Sequence, residues 1–194
     1  LANGSGKKPF YRKISLPLLP LSFMMVAHLK ETGKIIMTIL KLAVYDMDGT
    51  IVDSSHRYRT QACGTKIDLQ YWIDNEHKTL QDSLLPLAFS QYEQDVACPN
   101  TYVVIATARI WCDLTEQFVR GCLPYPQAKV ARRDRHDTRG GSALKITYLK
   151  RLLNLKAFQN VKEIHVYEDN EKYMQDMCQA LNATGHFCPS SQGH

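Results

Sequence analysis

Two carboxylates one residue apart, Asp46 and Asp48, end a run of apolar and β-favouring residues at 39–45, with Gly49 and Thr50 directly behind them. Oxygen donors at that spacing can hold a hard cation such as Mg²⁺ against a phosphate. They can also divide the labour, one attacking as a nucleophile while the other moves protons. Asp-Gly is in addition a common hairpin signal, so the pair means chemistry only if the chain supplies partners. Three further polar clusters do so: Thr107 and Arg109, Lys145, and Glu168 with Asp169. Each has an ordinary rival. Thr107 could simply end a strand, Lys145 could be a solvated helix residue, and Glu168 and Asp169 could be acids favoured at a helix start. Jointly they describe phosphoryl transfer.

In that reading Asp46 attacks phosphorus to form an aspartyl-phosphate. Asp48 protonates the leaving oxygen and then deprotonates the water that hydrolyses the intermediate. Mg²⁺ is held by Asp46, the backbone carbonyl of Asp48, a phosphate oxygen and Asp169, with Glu168 as second candidate. Thr107 and nearby backbone N–H groups hold the phosphate, and Lys145 offsets the developing charge.

The elements that must position these residues follow from the hydrophobic pattern. Strands are expected at 39–45, 101–106, 127–131 and 161–167, with a brief last one at 184–188. Helices are expected at 69–75, at 79–97 with Pro86 kinking or dividing it, at 110–122, from an N-cap at Ser142 through Leu153, and at 171–181. Strand and helix alternate, which predicts an α/β fold: a Rossmann-like, mostly parallel sheet flanked by helices. Each polar cluster then falls at a strand end or in the first turns of the helix after it, and in a parallel sheet these converge on one edge.

The sequences DMDGT at 46–50, TAR at 107–109, Lys145 on a helix and YEDN at 167–170 resemble the four sequential motifs of the haloacid dehalogenase (HAD) superfamily. The resemblance spans about residues 37–187. It implies a Mg²⁺-dependent phosphatase with an aspartate nucleophile, and a small helical cap inserted after the first strand, within about 54–98. A narrower likeness is to the 3′-phosphatase domain of phage-type polynucleotide kinase–phosphatase. It rests on Arg57 eleven residues after Asp46, on the hTxR form of the second motif, and on RRDRHDTRGGSALK at 132–145. This implies that Arg57 and Arg109 clamp phosphate or the nucleic-acid backbone, as guanidinium matches phosphate bidentately. Arg133, Asp137, Arg139 and Lys145 approximate a further pattern of that family, and Gly49, Thr50 and Ala108 join the substrate-binding set. Two positions depart from it. Gly141 stands where that family usually has Asp, and Glu168-Asp169-Asn170 replaces paired aspartates followed by Arg. No GxxxxGK[ST] is present, so the kinase half is absent from this chain.

With 194 residues, 44% hydrophobic and 22% charged, the chain suits one soluble domain. The net charge of +5 permits a polyanionic partner without demanding one. Six cysteines lack any Cys-x-x-Cys pair, which predicts free thiols in a reducing, cytoplasmic setting rather than a disulfide or zinc framework. Residues 1–36 begin basic and continue as an apolar run broken by Pro17 and Pro20, resembling a secretory signal too short to span a bilayer. They are expected to lie outside a domain covering 37–189, with a mobile tail at 190–194 and no membrane partner. The small cap leaves the site open, which favours a nucleic-acid end or a phosphoprotein, with a nucleotide also in view. The basic run Arg132, Arg133, Arg135, His136 and Arg139 is either a solvated loop or a contact to a phosphate backbone. Tyr71, Trp72 and Tyr92 are read as packing residues rather than base-stacking platforms. A phosphotransferase or phosphomutase, or a non-catalytic phosphate-binding module, would use the same fold.

Overall fold

An uninterrupted apolar strand is stable where helices cover both faces of its sheet. Lys41–Tyr45 (β1) meets that condition, with Leu42, Ala43, Val44 and Tyr45 all buried. The computed structural model of the protein describes residues 38–64, 67–132, 134 and 136–190. The expected extension at 1–36 and the start near Met37 lie outside the described residues, as do Arg133 and Arg135.

β1 is the middle of a five-stranded sheet. Thr101–Ile110 (β4) and then Ala128–Arg132 (β5) lie on one side of it. Glu163–Glu168 (β6) and Thr184–Phe187 (β7) lie on the other. Every pairing in this sheet is parallel. The chain therefore leaves β1 in opposite directions for β4 and β6, and the crevice at that switch point lies beyond the ends of the strands carrying the polar clusters.

Residues alternate between the two faces of a strand. Ala43 and Tyr45 pack with Met47, Val103, Ile105, Tyr92 and Phe118, under the helices Pro86–Ala97 (α2) and Asp113–Cys122 (α3). Leu42 and Val44 pack with Val104, Ala106, Leu149 and Met177, under Gly141–Leu153 (α4) and Glu171–Leu181 (α5). Between β1 and β4 the chain inserts a short antiparallel pair, Val52–Asp53 (β2) with Ser83–Leu84 (β3), and a small helix, Leu69–Asp74 (α1). Among the described residues no helix is long and apolar enough to cross a membrane.

Four expectations change. β4 does not stop at Ala106 but runs through the second motif to Ile110, which pairs with Arg132 across an irregularity between Ala106 and Ile110. The helix after it consequently starts at Asp113 rather than at 110. Pro86 neither kinks nor divides a helix. It stands in the first turn of α2, where its missing N–H costs nothing, and the residues before it form the 3-10 helix Glu76–Gln81 and β3. Ser142 is not an N-cap. Gly140 takes that place, and the Ser142 hydroxyl donates to Asp176 of α5 at 2.8 Å, tying the two helices together.

Leu149 is fully buried on the helix that carries Lys145. Leu149→Ala should cost roughly 2–5 kcal/mol, read as a lower urea midpoint with an unchanged slope.

Candidate active site

β1 ends at Tyr45, and the backbone N–H of the next residue, Asp46, donates to the Tyr167 carbonyl on β6 at 2.9 Å, so the ends of these two strands are locked side by side. Lys145, one turn into α4, enters between them. Its ammonium donates to Asp46 Oδ1 and to Glu168 Oε2, each at 2.6 Å, with all three residues buried. Asp46, Glu168 and Asp169 each offer a carboxylate oxygen within 4.8 Å of the others. One ammonium thus serves three carboxylates. Burial, then the Glu168 carboxylate, pushes Asp46 up to about 7 against the pull of Lys145. Burial, then Asp46, pushes Asp169 up to about 7. Burial also raises Glu168. For Lys145 burial alone would lower the ammonium, but Asp46 and Glu168 outweigh it and hold the group above its ordinary value.

Glu168 is engaged on both oxygens, by Lys145 and by the N–H of Asn170. The Ser190 hydroxyl lies beside Asp169, whose Oδ2 is buried without a hydrogen-bond partner. A buried orphaned carboxylate oxygen beside two further acids fits a hard divalent cation. Gly49, at φ +81°, makes room for it: a Cβ there would lie 2.0 Å from Asp169 Oδ2.

A second charged group surrounds Asp48, and it is balanced. Arg109 donates through Nε to Asp48 Oδ2 at 2.8 Å and through Nη2 to Oδ1, while Ser54 Oγ donates to Oδ1 at 2.8 Å. Arg57 donates to both oxygens of Asp82 at 2.8 Å and lies 3.9 Å from Asp48. Asp82 is also 3.6 Å from Arg109. The Trp72 ring covers the Arg57 guanidinium at 4.0 Å and lies 5.6 Å from that of Arg109. Burial would raise Asp48, but Arg109, then Arg57 and Ser54, outweigh it and hold the carboxyl below its ordinary range.

The structure therefore brings Asp46, Asp48, Gly49, Thr107, Arg109, Lys145, Glu168 and Asp169 to one edge of the sheet. Thr107 is buried and its hydroxyl accepts the Arg109 N–H at 3.1 Å, which shapes the bend on either side of Ala108. Thr50 is buried with its hydroxyl unpartnered. Arg57 is placed differently from a phosphate clamp: it is 1% exposed and spent on Asp82. Arg139 is exposed and paired with Asp137, lining a surface cavity of about 390 Å³ with Asp134, His136 and Arg151 that no acid of the cluster lines. Arg132 ties this loop to the second motif by donating to the Ala108 carbonyl at 2.8 Å. At Gly141 a Cβ would meet the Tyr173 ring at 2.6 Å, so an aromatic ring fills the space of the absent acid.

Asp82 and Ser190 escaped sequence reasoning. Asp82 sits in the insertion with no motif around it, and its pairing with Arg57 spans 25 residues. Ser190 fell in the expected mobile tail but reaches Asp169; residues 191–194 lie outside the described residues. Trp72 is a packing residue, as expected, and what it packs on is the Arg57 guanidinium.

The family model described as bacteriophage T5 5′-deoxynucleotidase matches residues 29–184. The chain belongs to that family. A search of curated proteins found no match. Among solved structures, a chain of the Pnkp1/Rnl/Hen1 RNA repair complex aligns with a TM-score of 0.55 at 15% identity, covering 87% of this chain and 47% of that one. Another structure of the Pnkp1/Rnl/Hen1 complex gives 0.54 at 17% identity, covering 84% and 52%. The HAD domain of the effector protein Lem4 from Legionella pneumophila gives 0.53 at 14% identity, covering 80% and 89%. This member of the T5 deoxynucleotidase family therefore has a HAD-like fold. It spans about half the length of the Pnkp1-complex chains it matches. Family and fold together support phosphoesterase activity.

Folded Asp169 titrates near about 7 against an ordinary value of 3.8. A carboxyl raised in this way lends stability that is complete below its unfolded pKa and is lost as pH rises through its folded one. With EDTA present, Asp169→Asn should therefore melt above wild type at about pH 8, by a margin that is clearly smaller at about pH 5 and closes only below about pH 4, measured by scanning fluorimetry. An equal gain at both values would contradict the assignment.

Proposed function

We propose that the protein is a Mg²⁺-dependent phosphomonoesterase that hydrolyses deoxynucleoside 5′-monophosphates through an aspartyl-phosphate on Asp46. The observation that carries this reading is the convergence of Asp46, Lys145, Glu168 and the orphaned Asp169 Oδ2 beside Asp48. The substrate class follows from the family to which the chain belongs.

Asp46 and Asp169, with the backbone carbonyl of Asp48, would hold Mg²⁺, which supplies positive charge for the phosphoryl oxygens. Glu168 stays with Lys145, keeping the ammonium beside Asp46, where it neutralises the carboxylate and the charge gathering on the transferred group. A carboxylate oxygen of Asp46 forms a bond to phosphorus as the bond from phosphorus to the 5′ oxygen breaks. Asp48, protonated for this step, gives its proton to that leaving oxygen. It then takes a proton from the water that attacks phosphorus, releasing inorganic phosphate and restoring the Asp46 carboxylate.

Arg109 has a place in this sequence. It grips Asp48 in the free protein, and a substrate phosphate offers the same bidentate geometry. Passing from one to the other would bind the phosphate and leave Asp48 able to carry a proton. Arg57, fixed by Asp82 and Trp72, would keep its position and shape the wall behind Asp48.

The basic loop tied to Ala108 sustains a second reading, removal of a 3′-phosphate from a nucleic-acid end. Phosphate release from deoxynucleoside 5′-monophosphates and from 3′-phosphorylated oligonucleotides separates the two. The first reading predicts Mg²⁺-dependent turnover of the mononucleotides, abolished by EDTA and lowered by at least ~10³-fold in Asp46→Asn. Turnover of oligonucleotides alone would establish the second reading, and full activity of Asp46→Asn would end both.

A further inference from the structure

No motif marks the stretch from Cys188 to Ser190. Strand register is what gives it a place. β7 runs parallel to β6 with Phe187 opposite Glu168, and the Cys188 N–H donates to the Glu168 carbonyl at 2.9 Å. The strand can lie this close because Gly185 has no side chain: a Cβ there would meet Met174 and Cys178 of α5 at 2.9 Å. Pro189 then carries the chain on with a fixed φ. Ser190 arrives with its hydroxyl beside the Asp169 carboxylate, in the space left open by Gly49. The fit is tight, since a Cβ on Gly49 would lie 2.7 Å from Ser190 Oγ as well as 2.0 Å from Asp169 Oδ2. Three segments remote in sequence, at Gly49, Asp169 and Ser190, share one small volume.

We propose that Ser190 is a positioning residue for the metal-binding carboxylate: its hydroxyl holds Asp169 in the orientation that presents an oxygen to a divalent cation beside Asp46. The inference rests on the reading of Asp169 as a metal ligand and adds a residue to it. Asp169 follows the last residue of β6 and leads into α5, so its backbone is fixed while its side chain can still rotate. A hydrogen bond from outside the ligand set removes that freedom before the ion arrives. Loss of such outer partners typically weakens metal affinity about 10–100-fold.

The test is calorimetric titration of Mg²⁺ into the full chain without substrate, for wild type, Ser190→Ala, Ser190→Thr and Asp169→Asn, with metal-free melting of each. Ser190→Ala should bind Mg²⁺ about tenfold more weakly or worse, with a metal-free melting temperature close to wild type. Ser190→Thr, which keeps the hydroxyl, should bind close to wild type. At saturating Mg²⁺, KM for the phosphomonoester should be the same in Ser190→Ala and wild type. Wild-type Mg²⁺ affinity in Ser190→Ala together with weakened affinity in Asp169→Asn would overturn the role of Ser190 alone. Unchanged affinity in Asp169→Asn would overturn the metal reading on which it rests. Equal losses in Ser190→Ala and Ser190→Thr would assign the effect to packing and end the proposal.

Discussion

Lys145 is a buried ammonium 2.6 Å from two buried carboxylates, and a charge taken out of water needs partners in good geometry. Meeting that need dictates much of the architecture. β1 and β6 must be adjacent and parallel so that Asp46 and Glu168 end level with each other. α4 must cross the sheet so that its first turns point between them. Yet the requirement is met with a surplus of negative charge, because Asp169 joins the same cluster.

The neighbouring group has the opposite character. Asp48 and Asp82 face Arg57 and Arg109, two acids against two bases, with Trp72 laid over the guanidinium groups. One half of the site is therefore neutral as it stands, and the other is short of a cation. That asymmetry separates the roles proposed for the two aspartates of the first motif, although only Met47 stands between them. In the proposed mechanism Asp46 takes the place of metal ligand and nucleophile. Asp48 lies where an arginine can hold or release it.

The elements with clean periodicity were legible in the sequence. β1 is apolar on both faces, α5 matches its expected span of 171–181, and the convergence of the clusters follows from a parallel sheet alone. Local pattern misled where tertiary pairing decided the outcome. Ile110 reads as the start of an amphipathic helix but is held in β4 by its pairing with Arg132. Ser142 has the chemistry of an N-cap but finds a better partner in Asp176. Arg57 carries a motif signal that announces a phosphate contact, and its guanidinium is instead closed off by Asp82, which has no signal of its own. Ser190 is the extreme case, since its position depends on the register of the last strand against β6.

The central claim is that Asp46 becomes covalently phosphorylated during turnover. Its most direct test is rapid acid quenching of the enzyme with Mg²⁺ and substrate in the pre-steady state, followed by peptide mass spectrometry. The account predicts a peptide spanning the first motif that carries one phosphoryl group on Asp46, formed and lost at rates compatible with turnover and missing from Asp46→Asn. Full turnover with no phosphorylated peptide at any quench time, or with the phosphoryl group on another residue, would contradict it.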